Sequence, residues 1–162
     1  MPKTASRLRL SLVALTALLA TGCGAMLIPN TDVEDTARNR DVVAFVESYR
    51  HALEARDVRK LLALASPRYL DHNGTTTGDD DIDLATLRTK IAALQGAIED
   101  VRLEIRYRRV TFHDDHVLVD VTYTGNFRVG ESDGGHHWSR RLSDQRVVLE
   151  RVGDSFLILS GM

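Results

Sequence analysis

A chain of 162 residues, 43% hydrophobic and 27% charged, is long enough for one domain with a real core, not for two. Its 21 Lys and Arg face 23 Asp and Glu, and no basic cluster is interleaved with aromatics, which argues against nucleic acid as a partner. The single cysteine, Cys23, rules out an internal disulfide.

The first nine residues carry Lys3, Arg7 and Arg9 with no acid, and the uncharged run Leu10 to Ala20 follows. These are the charged and apolar regions of a secretory signal. Leu19-Ala20-Thr21-Gly22-Cys23 resembles the box at which lipoprotein signals are cut, with Ala20 where leucine is more usual. Small side chains let a peptidase thread the extended chain, and the Cys23 thiolate takes the diacylglyceryl group. The resemblance implies a signal over residues 1–22 and a mature chain of 140 residues, with about five net negative charges, anchored by lipid on Cys23. Because Gly24 is not the aspartate that marks inner-membrane retention, it also implies a cell-envelope protein on the outer membrane, facing the periplasm. The alternative is an uncleaved anchor, since uncharged residues continue to Thr31. Gly22, Gly24, Pro29 and Asn30 break that stretch short of the ~20 residues a spanning helix needs. Residues 23–37, polar after Ile28, read as a flexible tether, and the folded domain as 38–162.

From Val42 to Leu53 apolar residues recur every three or four positions, which predicts an amphipathic helix ending near Arg56. Asp57 caps a second, shorter helix through Val58, Leu61 and Leu62, and Pro67 ends it by forcing Ser66 out of helical geometry. A polar loop leads to a third helix opening at Asp83, with Gly96 as its expected stop. Beyond Gly96 the period becomes two. Val101, Leu103, Ile105 and Tyr107 alternate with Arg102, Glu104, Arg106 and Arg108, a half-buried strand. Val110 and Phe112 fall on the opposite parity, so a bulge is predicted near Arg108 or Arg109. His113 to His116 reads as a hairpin turn, Val117 to Val129 as the next strand with a bend at Gly125, and two further strands end at Ser160. The expected class is α+β: three N-terminal helices packed on a strongly curved antiparallel sheet.

Phe45-Val46-Glu47-Ser48-Tyr49-Arg50-His51-Ala52-Leu53-Glu54-Ala55-Arg56-Asp57, then Leu61-Leu62-Ala63-Leu64 and Ser66-Pro67-Arg68-Tyr69-Leu70-Asp71, resemble the opening of nuclear transport factor 2-like (SnoaL-like) domains. The likeness covers roughly residues 38–160 and implies a cone-shaped fold with a pocket at its open end. The family holds isomerases, cyclases, hydrolases, dehydratases and many non-catalytic members, so fold does not fix function. Against the ketosteroid isomerase pattern, Tyr49 matches the tyrosine that donates to an enolate oxygen, and Asp144 falls near the second donor. Ungapped counting puts Asn73 at the general base. Asn cannot take a proton from carbon, so the isomerase pattern holds only if Asp71 fills that role through a loop shift.

Asp71 and His72 form a polar cluster where the implied pocket opens, although Asn73-Gly74 is also turn chemistry. Tyr49, Tyr69, Asp71, His72 and Trp138 are the candidate ligand-binding residues. Tyr49, on the buried face of a helix, reads first as a core aromatic, and Trp138 equally as plain packing. His113 with His116, and His136 with His137, lack a third ligand, and Asp79, Asp80, Asp81 and Asp83 lack calcium-loop spacing, so no metal or cofactor is expected. The acids suit the N-terminus of the third helix instead. Two functions stand side by side. One is a non-catalytic envelope module taking a small apolar ligand, a second copy of itself or an envelope protein. The other is an enzyme on a small cyclic or carbonyl substrate, with Tyr49, Asp71, His72 and Asp144 around one cavity.

Overall fold

The computed structural model describes residues 25–75, 77–131 and 134–162. Helix α1 (Ala37–Glu54) begins at Thr36, whose hydroxyl accepts from the Asn39 amide at 3.2 Å, a side-chain cap for an otherwise orphaned N–H. Capping at Thr36 starts the helix well before Val42. Its buried stripe is Val42, Val46, Tyr49 and Ala52. Asp57 caps α2 (Val58–Leu64), accepting from Lys60 N at 3.0 Å, and Leu61 is that helix's buried contact. The chain leaves α2 extended through Ala65, and Ser66 N donates to Ile158 O at 2.8 Å. Two short strands, β1 (Leu70–Asp71) and β2 (Ile82–Asp83), bracket the polar loop and lead into α3 (Leu84–Ala97). Asp83 caps α3 by accepting from Thr86 N at 2.7 Å.

Gly96 does not stop this helix. It lies inside α3, and the chain passes from Ala97 straight into a strand, because Ile98 pairs with Val129 while its amide still bonds to Leu94 O. Strand pairing, not a left-handed glycine, ends the helix.

Four antiparallel strands follow in the order β3 (Ile98–Phe112), β4 (Val117–Gly130), β5 (His136–Val152) and β6 (Ser155–Ser160). The register shifts between Tyr107 and Arg109, where the change of parity placed a bulge, and His113 N donates to His116 O at 2.9 Å to close the hairpin. Gly125 is required by its neighbour on the same strand face: a Cβ there would stand 2.5 Å from the Phe127 ring. The domain is α+β, three helices packed on one face of a curved antiparallel sheet. Its core gathers Val42, Val46, Val119, Leu149 and Ile158, all essentially without solvent contact.

The outer face of the sheet is polar and cross-linked by charge. Arg106 and Arg108 grip Asp32, Arg146 pairs with Asp120 at 2.7 Å, and Arg102 lies over the Trp138 ring at 5.5 Å. Because β6 pairs only with Val148–Val152, the outer edge of β5 from His136 to about Asp144 carries no strand among the described residues.

The segment expected as a tether is part of the fold from Met26 onward. Leu27 bridges Glu34, Ile28 N donates to Val33 O at 2.9 Å, and Asn30 turns the chain with a positive φ of 62°. This small hairpin docks on β3: Asp32 N donates to Tyr107 O at 2.9 Å, its carboxylate takes Arg106 and Arg108, and Val33 is buried. Asn39 Nδ2 donates to Glu34 O at 2.8 Å and ties the hairpin to α1. The flexible reading fails over these residues because partners more than seventy positions away hold them. Cys23 and the signal lie outside the described residues. Among the described residues no helix is long and apolar enough to cross a membrane.

Candidate functional site

Between the helices and the sheet lies a cavity of about 220 Å³. Its floor is buried: Val46 of α1, Leu61 of α2, Val121 of β4 and Val147 of β5. Its rim includes Leu94 and Gln95 of α3, both exposed, beside Arg56 and Ile98. Leu103, Ile105 and Phe127 of β3 and β4 face inward and line the hollow, and Glu54 at the end of α1 accepts from Leu103 N at 2.9 Å. Arg56 holds the rim together. Its backbone sits at a left-handed φ of 54°, and its guanidinium donates to Gln95 O at 2.6 Å and Glu99 O at 3.0 Å. One side chain therefore joins the exit of α1 to the junction of α3 and β3.

Few polar groups reach the hollow. Tyr49 is one, on the buried stripe of α1, with no hydrogen bond to its hydroxyl among the described residues. Burial pushes its phenol far above the usual value, and the nearby phenols of Tyr69 and Tyr123 push the same way. It therefore stays protonated and able to donate. Tyr123 and Gln145 also line the space, and Gln145 donates to Gly161 O at 3.0 Å. Met162 closes the wall beside it.

The expected catalytic set does not assemble. Asp144 pairs with Thr122 and bonds its hydroxyl at 2.5 Å on the outer face, the opposite side of the sheet from Tyr49. The strand begins at His136, so Asp144 is a mid-strand residue whose parity is set by inward-facing Gln145 and Val147. Asp71 is occupied by the backbone: it accepts from Gly161 N at 2.8 Å and from Asn73 N at 2.9 Å. His72 is exposed and bonds Asp81 at 2.8 Å, away from the cavity lining. Asn73 and Gly74 both take positive φ, as their turn chemistry implies.

The remaining ligand candidates divide in the same way. Tyr69 is buried but does not line the hollow. Its hydroxyl accepts from Met162 N at 3.2 Å, and burial raises its pKa to about 12. Trp138 is half exposed on the outer face. The histidines of the β3–β4 turn stack on each other at 4.6 Å, and among the described residues no three His, Cys, Asp or Glu side chains gather as metal ligands. Of the predicted site residues, then, only Tyr49 lines the cavity. Tyr123 was legible as an inward residue of its strand. Arg56, Gln145 and Met162 left no local signal, because contacts distant in sequence bring them there.

No family model matches the sequence, and no curated protein does either. Solved structures share the fold. Bd1075 of Bdellovibrio bacteriovorus aligns with a TM-score of 0.58 at 17% identity, over 77% of this chain. This chain spans only 40% of that protein. A calcium/calmodulin-dependent protein kinase II association domain protein from Xanthomonas campestris gives 0.59 at 19% identity, covering 85% of this chain and 90% of its own. A protein from Streptomyces avermitilis, assigned as a dehydratase of the NTF2-like family, gives 0.59 at 16%, covering 76% and 92%. At such identities the likeness speaks for architecture alone: the chain has the NTF2-like, SnoaL-like cone fold.

Proposed function

We propose that this NTF2-like domain is a non-catalytic binding module of the bacterial cell envelope, anchored by lipid on Cys23, that takes a small apolar guest bearing one polar group. The observation that carries this reading is the make-up of the hollow. No side chain of its described lining is a carboxylate, imidazole, thiol or aliphatic hydroxyl, so the side chains there offer neither the usual general base nor an activated nucleophile. What it does offer is an apolar surround with the Tyr49 phenol as a hydrogen-bond donor, the usual composition of a small-molecule site. About 220 Å³ suits a compact molecule of one or two rings. The enzyme alternative needs Asp71, His72 and Asp144 beside Tyr49, and each is engaged elsewhere.

Titration with 2-naphthol, followed by its fluorescence, tests the reading. The wild-type chain is expected to bind saturably, and Leu103→Trp, which places a large ring in the hollow, to lose about tenfold or more in affinity, the worth of ~1.4 kcal/mol. Equal binding by both proteins overturns the assignment of the guest to this cavity.

A further inference from the structure

The docked hairpin fixes something about the membrane. Only Gly24 and Ala25 separate Cys23 from Met26, where the folded hairpin begins. Three residue steps reach at most about 11 Å even when fully extended. Whatever path the chain takes there, an acylated Cys23 leaves no stalk. The domain must sit against the lipid surface by the end that carries the hairpin. Two large apolar side chains wait at that end: Met26 is 76% exposed and Leu27 52%.

The other end of the fold is far away. The hairpin is tied to the start of α1 through Asn39, whereas Leu53 and Arg56, at and just beyond the end of α1, line the cavity. Eighteen helical residues separate these ends by about 27 Å. Along the sheet the same polarity holds. Asp32 bonds at Tyr107, while the rim residue Ile98 lies at the opposite end of β3. Trp138 marks that rim end too, since it pairs with Arg128, which pairs with Asp100.

We infer that the domain rests directly on a lipid bilayer through Met26 and Leu27, with its cavity mouth turned to the aqueous phase, so that the guest enters from water and not sideways out of the lipid. The inference rests on the acylation of Cys23. It adds an orientation and a route of entry that the anchor alone does not supply. Apolar side chains next to an acyl anchor gain from entering the headgroup boundary.

The single tryptophan makes the test direct. The mature acylated chain is reconstituted into phosphatidylethanolamine–phosphatidylglycerol vesicles with dibrominated acyl chains, and indole quenching is read. Native Trp138 is expected to lose less than about a tenth of its emission. In a Met26→Trp, Trp138→Phe chain the introduced indole is expected to lose about half or more, as for a side chain within 5–10 Å of the acyl boundary. Both substituted positions are exposed, and 2-naphthol binding within about twofold of wild type confirms an intact fold and an open mouth on the vesicle. Comparable weak quenching at both positions, with the protein still floating with vesicles, overturns the inference and leaves the anchor standing. Stronger quenching of Trp138 also overturns it, by reversing the orientation. A chain that fails to float and carries a free thiol at Cys23 overturns the anchor, and the inference with it.

Discussion

Strands β3, β4 and β5 each run through two unlike environments. Near the β3–β4 hairpin their inward residues, Val117, Val119 and Leu149, are sealed in the core with α1. Toward the other end the same alternation continues through Leu103, Ile105, Tyr123 and Phe127, yet these residues line an empty space. Alternation thus reports which way a side chain points. Whether anything meets it depends on what packs opposite, which alternation does not report. Packing is tight at the first end and leaves a cavity at the second.

The sharpest way to break this contrast is to truncate one leucine at each end. Leu149→Ala is expected to cost about 3 kcal/mol in urea unfolding, because a fully packed site cannot collapse around the missing atoms. Leu103→Ala, already beside a void, should cost about 1 kcal/mol. Equal losses would show that the hollow is closed in solution. A smaller effect sharpens the binding half. Tyr49→Phe removes a hydroxyl that makes no hydrogen bond among the described residues, so stability should move by under about 0.5 kcal/mol. Affinity for 2-naphthol should fall about fivefold, while naphthalene binding stays unchanged. An equal drop for naphthalene would mean that Tyr49 contributes shape and no hydrogen bond.

The mildest test concerns the docked hairpin. Side-chain hydrogen bonds from Arg106 and Arg108 hold the Asp32 carboxyl down from an ordinary 3.8 to about 2. A carboxylate depressed in the folded state contributes fully above its unfolded value and loses its contribution as pH falls through the folded one. Docking should therefore weaken between about pH 3.8 and 2, seen as a shift of the Asp32 and Val33 amide resonances. Asp32→Asn should lend the hairpin the same looseness at neutral pH, read as faster proteolysis near Asn30. A pH-independent hairpin would put its hold in Val33 and the backbone bonds alone.

Much of the architecture was legible because local chemistry wrote it. The three- and four-residue spacing from Val42 to Ala52, the caps at Asp57 and Asp83, and the parity slip that marks the bulge before Arg109 all depend on near neighbours. What eluded the sequence depended on remote ones. Nothing in the polar run around Asp32 announces Arg106 and Arg108. Gly96 looked like a stop, since the pairing of Ile98 with Val129 cannot be seen from α3. Asp144 was matched to a donor through resemblance alone, and strand parity, with Gln145 and Val147 facing inward, puts it on the outer face. The site suffered more than the fold: a cavity is where packing fails to happen, and no run of residues encodes that failure directly.

The bare margin of β5 has a cost of its own. An extended strand with open amides and carbonyls can template a neighbour of like shape, the first step toward fibrils. Here that margin carries Arg140 and Arg141 at its middle, whose like charges would be stacked against one another in any parallel, in-register addition. Two adjacent arginines thus set a charge penalty against such an addition on the half of β5 that β6 is too short to cover.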